Sequence, residues 1–462
     1  MSPFKHIRYI YFLGIGGIGM SALARYFMQT GRAVAGYDRS ATTLTRQLEA
    51  EGALIHYKDD PDCIPPEFTD PDHTLIIYTP AIPSGHSEMN HFKEIGLQLV
   101  KRAEVLGMIT RDEHTIAVAG SHGKTTVSSM ITKIFFDAPT DCVSFLGGIA
   151  KNFNSNLVLK LHGNEKFLIT EADEFDRSFL KLSPAAAIIT SADPDHLDIY
   201  GTGDAMLNAF SEFANKVIPG GILLLRKGIP LNIMREDISL FSYSLDEDSD
   251  FRAELTGHHE GLYTFRLITP FGVFDNLQPG VPGLINIENA VGACAMALLH
   301  KINIETVRKA IAGFTGIIRR FDYQLRSDSL IYIDDYAHHP GEISATLHSL
   351  REIYPGRKIT GIFQPHLYTR TRDFADGFAA SLETLDEIIL LPIYPARELP
   401  LEGVTTQIVL DKISNPHKSL VEKENLLADL EKRSIEILIT MGAGDIDRLV
   451  TPITELLKKR LL

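Results

Sequence analysis

The sequence predicts an α/β protein built from parallel sheets flanked by helices, in about three consecutive domains. Three observations predict it. Apolar runs of strand length alternate with stretches whose apolar residues recur at helical spacing, as βαβ units require. Two glycine-rich turns, Gly14-Ile15-Gly16-Gly17-Ile18-Gly19 and Gly120-Ser121-His122-Gly123-Lys124-Thr125-Thr126, each join such a run to a helix. Polar residues gather behind the ends of later strands, the edge at which open parallel sheets bind ligands. The domain count follows from length, since 462 residues at roughly 150 per domain suffice for three.

The first element, residues 7–13, reads as a short buried strand that enters the first glycine turn. A helix from Met20 to about Thr30 follows, Gly31 ends it, and residues 33–38 form a second strand closed by Asp38. A G-x-G-x-x-G turn with an acid at the end of the next strand receives a diphosphate-containing nucleotide, and NAD and UDP-sugars both carry that group. Lys5 and Arg8 before an apolar run give this region a likeness to a secretory signal, but Gly14, Gly16, Gly17 and Gly19 interrupt the apolar segment. A strand at 74–79 continues the alternation. Residues 100–108 then lead to the polar joint Arg111-Asp112-Glu113-His114, which sets a first boundary near 110.

Next, the strand 115–118 runs into Gly120-Ser121-His122-Gly123-Lys124-Thr125-Thr126 and a helix over 127–136. Glycines let backbone N–H groups close around phosphate, the helix N-terminus adds positive potential, Lys124 reaches terminal phosphates, and Thr125 suits Mg²⁺. The general pattern G-x-x-x-x-G-K-[ST] asks for glycine where Val118 stands, so the motif here is the shorter G-x-x-G-K-T-T. Beyond it come Gly147-Gly148-Ile149-Ala150, a polar loop over 151–156, and a strand at 167–170. That strand delivers Glu171-Ala172-Asp173-Glu174-Phe175-Asp176, carboxylates placed where a phosphate-bound cation needs ligands. The strand 185–190 likewise ends in carboxylates around His196, a candidate functional histidine. Strands at 222–225 and 263–267 precede a helix starting near Asn286, whose Asn289 amide either meets a nucleotide base or packs between helices.

A boundary near 320 is marked by Gly316-Ile317-Ile318-Arg319-Arg320-Phe321-Asp322. The βα alternation then resumes. The strand 330–333 ends in Asp334-Asp335-Tyr336-Ala337-His338-His339-Pro340, and 358–363 ends in Gln364-Pro365-His366-Leu367-Tyr368-Thr369-Arg370-Thr371-Arg372. Strands at 387–391 and 435–441 follow, the last ending in Gly442-Ala443-Gly444-Asp445.

Composition sets the class. A hydrophobic fraction of 44% with 23% charged residues is that of a soluble globular enzyme, and a formal net charge of −14 argues against nonspecific nucleic-acid binding. No apolar run approaches the ~18 residues of a membrane helix. Cys63, Cys142 and Cys294 stand far apart with no C-x-x-C pair, so they encode neither a disulfide framework nor a zinc site, and a reducing cytoplasm fits.

Taken together, the two glycine turns, Glu171-Ala172-Asp173-Glu174, Asp195-His196-Leu197-Asp198, Arg319-Arg320-Phe321, Asp334-Asp335-Tyr336-Ala337-His338-His339-Pro340, and Gln364-Pro365-His366 with Tyr368-Thr369-Arg370-Thr371 resemble the Mur ligases, in order and across the whole chain. The short P-loop is itself a mark of that family. The resemblance implies a UDP-sugar-binding Rossmann-like domain over 1–110, a central P-loop ATPase-like mixed α/β domain over 111–320, and a C-terminal Rossmann-like domain over 321–462 that takes the incoming amino acid. It implies UDP-N-acetylmuramate and L-alanine as partners, ATP as co-substrate with Mg²⁺, and an acyl-phosphate route. Neither nucleic acid nor membrane is an expected partner, and a monomer or weak dimer is expected.

The resemblance also distributes roles. Gly14, Gly16, Gly17, Ile18, Gly19 and Asp38 are expected to hold the UDP-sugar. Gly120, Ser121, His122, Gly123, Lys124, Thr125, Thr126 and Asn289 are expected to hold ATP, with Arg320 and Asp334 reaching it from the C-terminal domain. Thr125, Glu171 and His196 are the expected metal ligands, and Tyr336, His338 and Arg370 are expected to place the amino acid. Ile285 and Leu367 stand where family members often carry histidine and arginine, and Ser191 and Asp193 where asparagine and glutamate are common. The helix after the Asp-His motif lacks the lysine that ligases adding later residues carbamoylate. Competing expectations are a ligase that attaches a whole murein tripeptide to the same sugar, an NAD-dependent oxidoreductase and a non-catalytic nucleotide-binding regulator.

Overall fold

The computed structural model describes residues 4–111, 113–161, 165–193, 197–259, 261–396 and 398–461, with the backbone alone described at Leu197 and Asp198. The chain falls into two compact units, Met1–Thr315 and Gly316–Leu462. Among the described residues no helix is long and apolar enough to cross a membrane.

The first unit holds two sheets. One contains β1 (Tyr9–Leu13), β2 (Ala33–Tyr37), β3 (Leu54–His56), β4 (Thr74–Tyr78) and β5 (Leu99–Lys101), all parallel in the order β3-β2-β1-β4-β5. Helices cover both faces, so β1 is apolar along most of its length. Ile10 and Phe12 pack with Leu23, Ala24 and Phe27 of the helix Ile18–Gln29, while Tyr11 and Leu13 pack with Phe68 and Phe92 on the opposite face.

The second sheet has ten strands: β6 (His114–Ala119), β7 (Asp141–Ala150), β8 (Ser155–Lys160), β9 (Lys166–Glu171), β10 (Ala186–Ile189), β11 (Ile222–Arg226), β12 (Ser239–Ser244), β13 (Phe251–His259), β14 (Leu262–Thr269) and β15 (Gly272–Leu277). Their order is β15-β14-β13-β12-β11-β10-β6-β9-β7-β8, antiparallel at β7–β8 and from β13 to β15 and parallel elsewhere. The pairing of β6 with β9 on one side and β10 on the other sets Val118 beside Glu171 and Ala119 beside Ile189. The residues directly after β9 and β10 are thereby brought to the turn that follows β6.

One expectation is corrected here. Residues 151–156 are not a polar loop throughout, because Ser155 and Asn156 open β8 and Asn156 is fully buried. Its Nδ2 donates to Ile18 O at 2.6 Å and Ser21 Oγ at 2.9 Å, and its Oδ1 accepts from Arg25. Arg25 also meets Glu51 at 2.8 Å. The helix Ile18–Gln29 of the first sheet thus packs on β7 and β8 of the second, and one apolar core runs through both. A buried amide with three partners stabilises that contact, whereas polar composition alone suggested a loop.

The second unit is built on β16 (Asp322–Arg326), β17 (Ile331–Asp335), β18 (Ile359–Phe363), β19 (Glu387–Leu390), β20 (Lys418–Leu420) and β21 (Ile437–Met441). Their order is β16-β17-β21-β18-β19-β20, parallel except for the β16–β17 pair. Apolar cores lie on both faces, one around Ile333, Phe363 and Phe378, the other around Tyr332, Leu438 and Ile453.

Candidate active site

The turn after β6 is shaped by close backbone approach. Gly120 has φ +135°, and a Cβ there would meet Thr190 Oγ1 at 2.2 Å; Gly123, at φ +82°, ends the turn and precedes the helix Lys124–Asp137. The segment after β10 braces the loop. His122 N donates to Ser191 Oγ at 2.7 Å, Ser121 Oγ donates to Asp193 O at 2.6 Å, and His122 Nε2 lies 3.9 Å from Asp193. Ser191, where the family often has asparagine, is therefore a loop partner. Thr126 sits on the first turn of the helix.

Lys124 curls back into the turn. Its Nζ donates to Gly120 O at 2.5 Å and to Glu174 Oε1 at 2.7 Å, with Ser121 O at 3.4 Å. Next to it, Thr125 Oγ1 and Ser128 Oγ each donate to Glu171 at 3.2 Å, and Gly147 N donates to Glu171 Oε1 at 2.6 Å. A Cβ at Gly147 would stand 2.4 Å from Glu171 Oε2, so glycine there makes room for the carboxylate. Burial raises the pKa of both Glu171 and Glu174 above the usual carboxylate range. Two hydroxyls and a carboxylate at the head of a helix are hard oxygen donors, and that set fits a magnesium ion.

Asn289 lies on the second turn of the helix Leu284–Leu299, one turn later than expected, because the helix begins at Leu284. It is buried, and a Cβ built on Gly123 would come 2.9 Å from its Oδ1, so the amide borders the turn itself. Ile285 is 54% exposed on the first turn of the same helix. His196 lies outside the described residues.

The turn after β1 is closed differently. Gly14 takes φ +87°, Gly17 precedes the helix as its N-terminal cap, and Ile18 and Gly19 form its first turn. Gly16 N donates to Asp38 Oδ2 at 2.7 Å, so the acid at the end of β2 grips the turn's backbone. A cation that sequence reasoning missed lies over this helix start: a Cβ on Gly19 would come within 2.8 Å of Arg102 Nη1. Arg102 Nη2 also donates to Asp173 Oδ2 at 3.4 Å, which links the first turn to the acidic run after β9. Nothing in the sequence around Arg102 signals this, because 82 residues of chain separate it from Gly19.

In the second unit the ends of β17 and β18 carry the remaining candidates. Asp334 is buried on β17, where its Oδ2 accepts from Arg319 Nε at 3.1 Å and its Oδ1 from Thr440 Oγ1 at 2.7 Å. Asp335 accepts from Phe321 N and Ala337 N, both at 2.7 Å, and burial raises its pKa to about 6. Arg320 lies over the Tyr336 ring, 5.3 Å from its centroid, and 3.7 Å from Glu342. His338 Nδ1 sits 3.0 Å from Tyr336 O and 3.2 Å from Glu342 Oε2, and His338 N donates to Glu342. Burial would raise the Glu342 pKa, but His338 and Arg320 outweigh it and hold the carboxyl well below its usual range. Glu342, on the helix Pro340–Ile353, is a second residue that sequence reasoning missed. Its signal was weak, since His338 precedes the helix that carries Glu342 and the two share no helix face.

Arg370 lies on the short helix Tyr368–Asp373, and among the described residues its guanidinium makes no hydrogen bond or ion pair. Leu367 caps that helix at φ +71°, a left-handed conformation that costs a non-glycine residue on the order of 1 kcal/mol or more. Its N–H donates to Tyr394 O at 2.9 Å.

Family models match nearly the entire chain. The Mur ligase family catalytic domain matches residues 9–114, the Mur ligase middle domain 118–297, and the Mur ligase glutamate ligase domain 319–445. The chain belongs to the Mur ligase family. This Mur ligase is 49% identical to a UDP-N-acetylmuramate–L-alanine ligase of Parabacteroides distasonis, with 98% of each chain covered. A protein of the same name from Flavobacterium johnsoniae is 48% identical over 99% of each chain. Among solved structures, the UDP-N-acetylmuramate-alanine ligase of Thermotoga maritima superposes with a TM-score of 0.81 at 26% identity, covering 98% of this chain and 99% of that one. A murein peptide ligase from Psychrobacter arcticus shares the fold, with a TM-score of 0.72 at 21% identity over 97% and 98% of the two chains. The architecture is the three-domain α/β fold of the Mur ligases, as the sequence predicted.

Proposed function

We infer that this Mur ligase joins L-alanine to the lactyl carboxylate of UDP-N-acetylmuramate in a reaction driven by ATP. The observation that carries the reading is the pairing at the end of β6, where the Lys124 ammonium and the Thr125–Glu171 cluster sit side by side on one glycine turn. A carboxylate is a poor electrophile. A lactyl carboxylate oxygen therefore attacks the ATP γ-phosphorus and ADP leaves. The alanine nitrogen then attacks the acyl carbon, the bond to phosphate breaks, and the amine loses its proton. Catalysis by such a site is positioning and charge neutralisation.

Lys124 neutralises charge on the transferred phosphoryl group. Thr125 and Glu171 would hold one Mg²⁺ and His196 a second, and such cations would supply charge withdrawal from phosphate oxygens. Ser121, His122 and Thr126 line the phosphate turn, and Asn289 orients the nucleotide beside Gly123. The turn from Gly14 to Gly19 receives the UDP diphosphate with Arg102 as counter-charge. Arg320 acts on ATP, Asp334 acts by fixing Arg319, and Tyr336, His338 and Arg370 orient alanine, with Arg370 binding its carboxylate. Leu367 in place of a second arginine leaves a small apolar wall that suits a methyl side chain. Full-length likeness to named alanine ligases supports the substrate pair.

The test uses UDP-N-acetylmuramate labelled with ¹⁸O in its carboxylate. With ATP, Mg²⁺ and L-alanine, one ¹⁸O must appear in released phosphate; unlabelled phosphate would exclude the acyl-phosphate route. Replacing alanine by a murein tripeptide should abolish phosphate release. Efficient tripeptide ligation would make the peptide-attaching ligase the better reading.

A further inference from the structure

Two carboxylates stand three residues apart at the end of β9, and they face different partners. Glu171 takes the hydroxyls of Thr125 and Ser128, whereas Glu174, 1% exposed, takes the Lys124 ammonium at 2.7 Å. We propose that Glu174 is a positioning residue for the phosphoryl-transfer step, holding Lys124 in the turn so that its charge meets the transferred phosphate. The inference rests on the reading of Lys124 given above.

The backbone is arranged to present Glu174 inward. Tyr200 donates its hydroxyl to Glu174 O at 2.7 Å, and Arg177 N donates to the same oxygen at 3.0 Å. Asp173 Oδ1 accepts from Phe175 N, and Phe179 N donates back to Asp173 O at 2.9 Å. Asp176 and Arg177 both adopt left-handed conformations, φ 52° and 53°, at the start of the 3-10 helix Phe175–Lys181. Two consecutive non-glycine residues in that region are unfavourable, and the surrounding bonds hold them there. The result is a tight return that turns the Glu174 side chain under the phosphate loop.

The chemistry explains why a carboxylate is needed there. Lysine has four rotatable bonds and a strongly hydrated ammonium, so a lysine left to the carbonyls of Gly120 and Ser121 would be held by two neutral acceptors of its own loop. Glu174 lies on a different element and supplies a charged acceptor, the stronger kind. When phosphate oxygens arrive, the ammonium can exchange the two carbonyls for them and keep Glu174 as its fixed partner. Glu171 would serve a metal ion at the same turn, so each carboxylate would have its own cation.

The test measures ligation by the full chain with ATP, UDP-N-acetylmuramate and L-alanine. Glu174→Gln keeps the shape and removes the charge; kcat should fall roughly 10- to 100-fold, while KM for ATP and the Mg²⁺ requirement stay within about threefold. In a Lys124→Ala background the same substitution should cause no further loss, because Glu174 acts through Lys124. Glu174→Asp, which retains charge, decides the matter should the glutamine variant not fold; its kcat should lie below native with unchanged Mg²⁺ dependence. Near-native kcat in Glu174→Gln, an equal loss with and without Lys124, or a shifted Mg²⁺ requirement would each overturn the proposal. Lys124→Ala alone separates the two claims. Full activity in that variant defeats the reading of Lys124, whereas an inactive Lys124→Ala beside a fully active Glu174→Gln defeats only this inference.

Discussion

Two glycine turns in the Met1–Thr315 unit share a strand–turn–helix backbone, yet they install opposite charges. After β1, the Asp38 carboxylate accepts Gly16 N–H inside the turn and Arg102 stands outside it over Gly19. After β6, the Lys124 ammonium lies inside, held by Gly120 O and Glu174. Their sheets also treat a buried carboxylate differently. Glu174 faces a cation, whereas Glu88 on the helix Ser87–Glu94 accepts from the Tyr11 hydroxyl at 2.6 Å, and that hydroxyl lies 2.7 Å from His56 Nε2. On the reading proposed above, backbone geometry suits both turns to phosphate, and the side chains decide whether a turn only binds or also moves charge during a reaction.

The contrast breaks first at Lys124. Lys124→Ala should lower ligation by about 3 to 4 kcal/mol in transition-state stabilisation, a loss on the order of 10² to 10³ in rate, with an unchanged melting temperature. Steady-state kinetics beside a thermal melt checks this, and near-native turnover would put the central turn in the same class as the first.

The buried carboxylates come next. Burial raises Glu88 to about 7 from an ordinary 4.5, so the folded protein holds its proton in a pH range where the unfolded chain has released it. Stability from this group therefore falls as pH rises from about 5 to 8, by roughly 2 to 3 kcal/mol. Burial lowers the His56 pKa, which gives a slope of opposite sign on the acid side, so the difference between native protein and Glu88→Gln is the quantity to follow. Urea titrations at pH 5 and pH 8 should show the glutamine variant gaining on the native protein by that amount; a constant difference would mean that Glu88 is ionised in the fold.

The first turn should respond in binding and not in chemistry. A Cβ on Gly16 would come 2.7 Å from Thr45 Cγ2 and 2.8 Å from Asp38 Oδ2, so Gly16→Ala forces the turn open at about 1 to 3 kcal/mol. That should appear as a raised KM for the UDP-sugar with kcat largely kept. Asp38→Asn, which weakens one charge-assisted bond to Gly16 N, should act in the same direction at about 1 kcal/mol. A loss confined to kcat in either variant would erase the distinction between the turns.

The sequence by itself determined the βα alternation, both glycine turns and the positions of Lys124, Thr125 and Glu171. These are local properties, since periodicity, left-handed glycines and strand-end polarity depend on neighbours within a few residues. It could not show that Glu174 meets Lys124, that Arg102 covers Gly19, or that Asn156 is buried against Arg25, because each pair joins distant parts of the chain. Of the β13–β15 meander it showed only the middle strand, because exposed Leu255 on β13 and Val273 on β15 blur the two-residue alternation that marks a half-buried strand. Strand order decided these matters. By setting β6 between β9 and β10, the tertiary fold brought Glu171, Glu174 and Ser191 around one glycine turn, and no pattern within a single element carries that information.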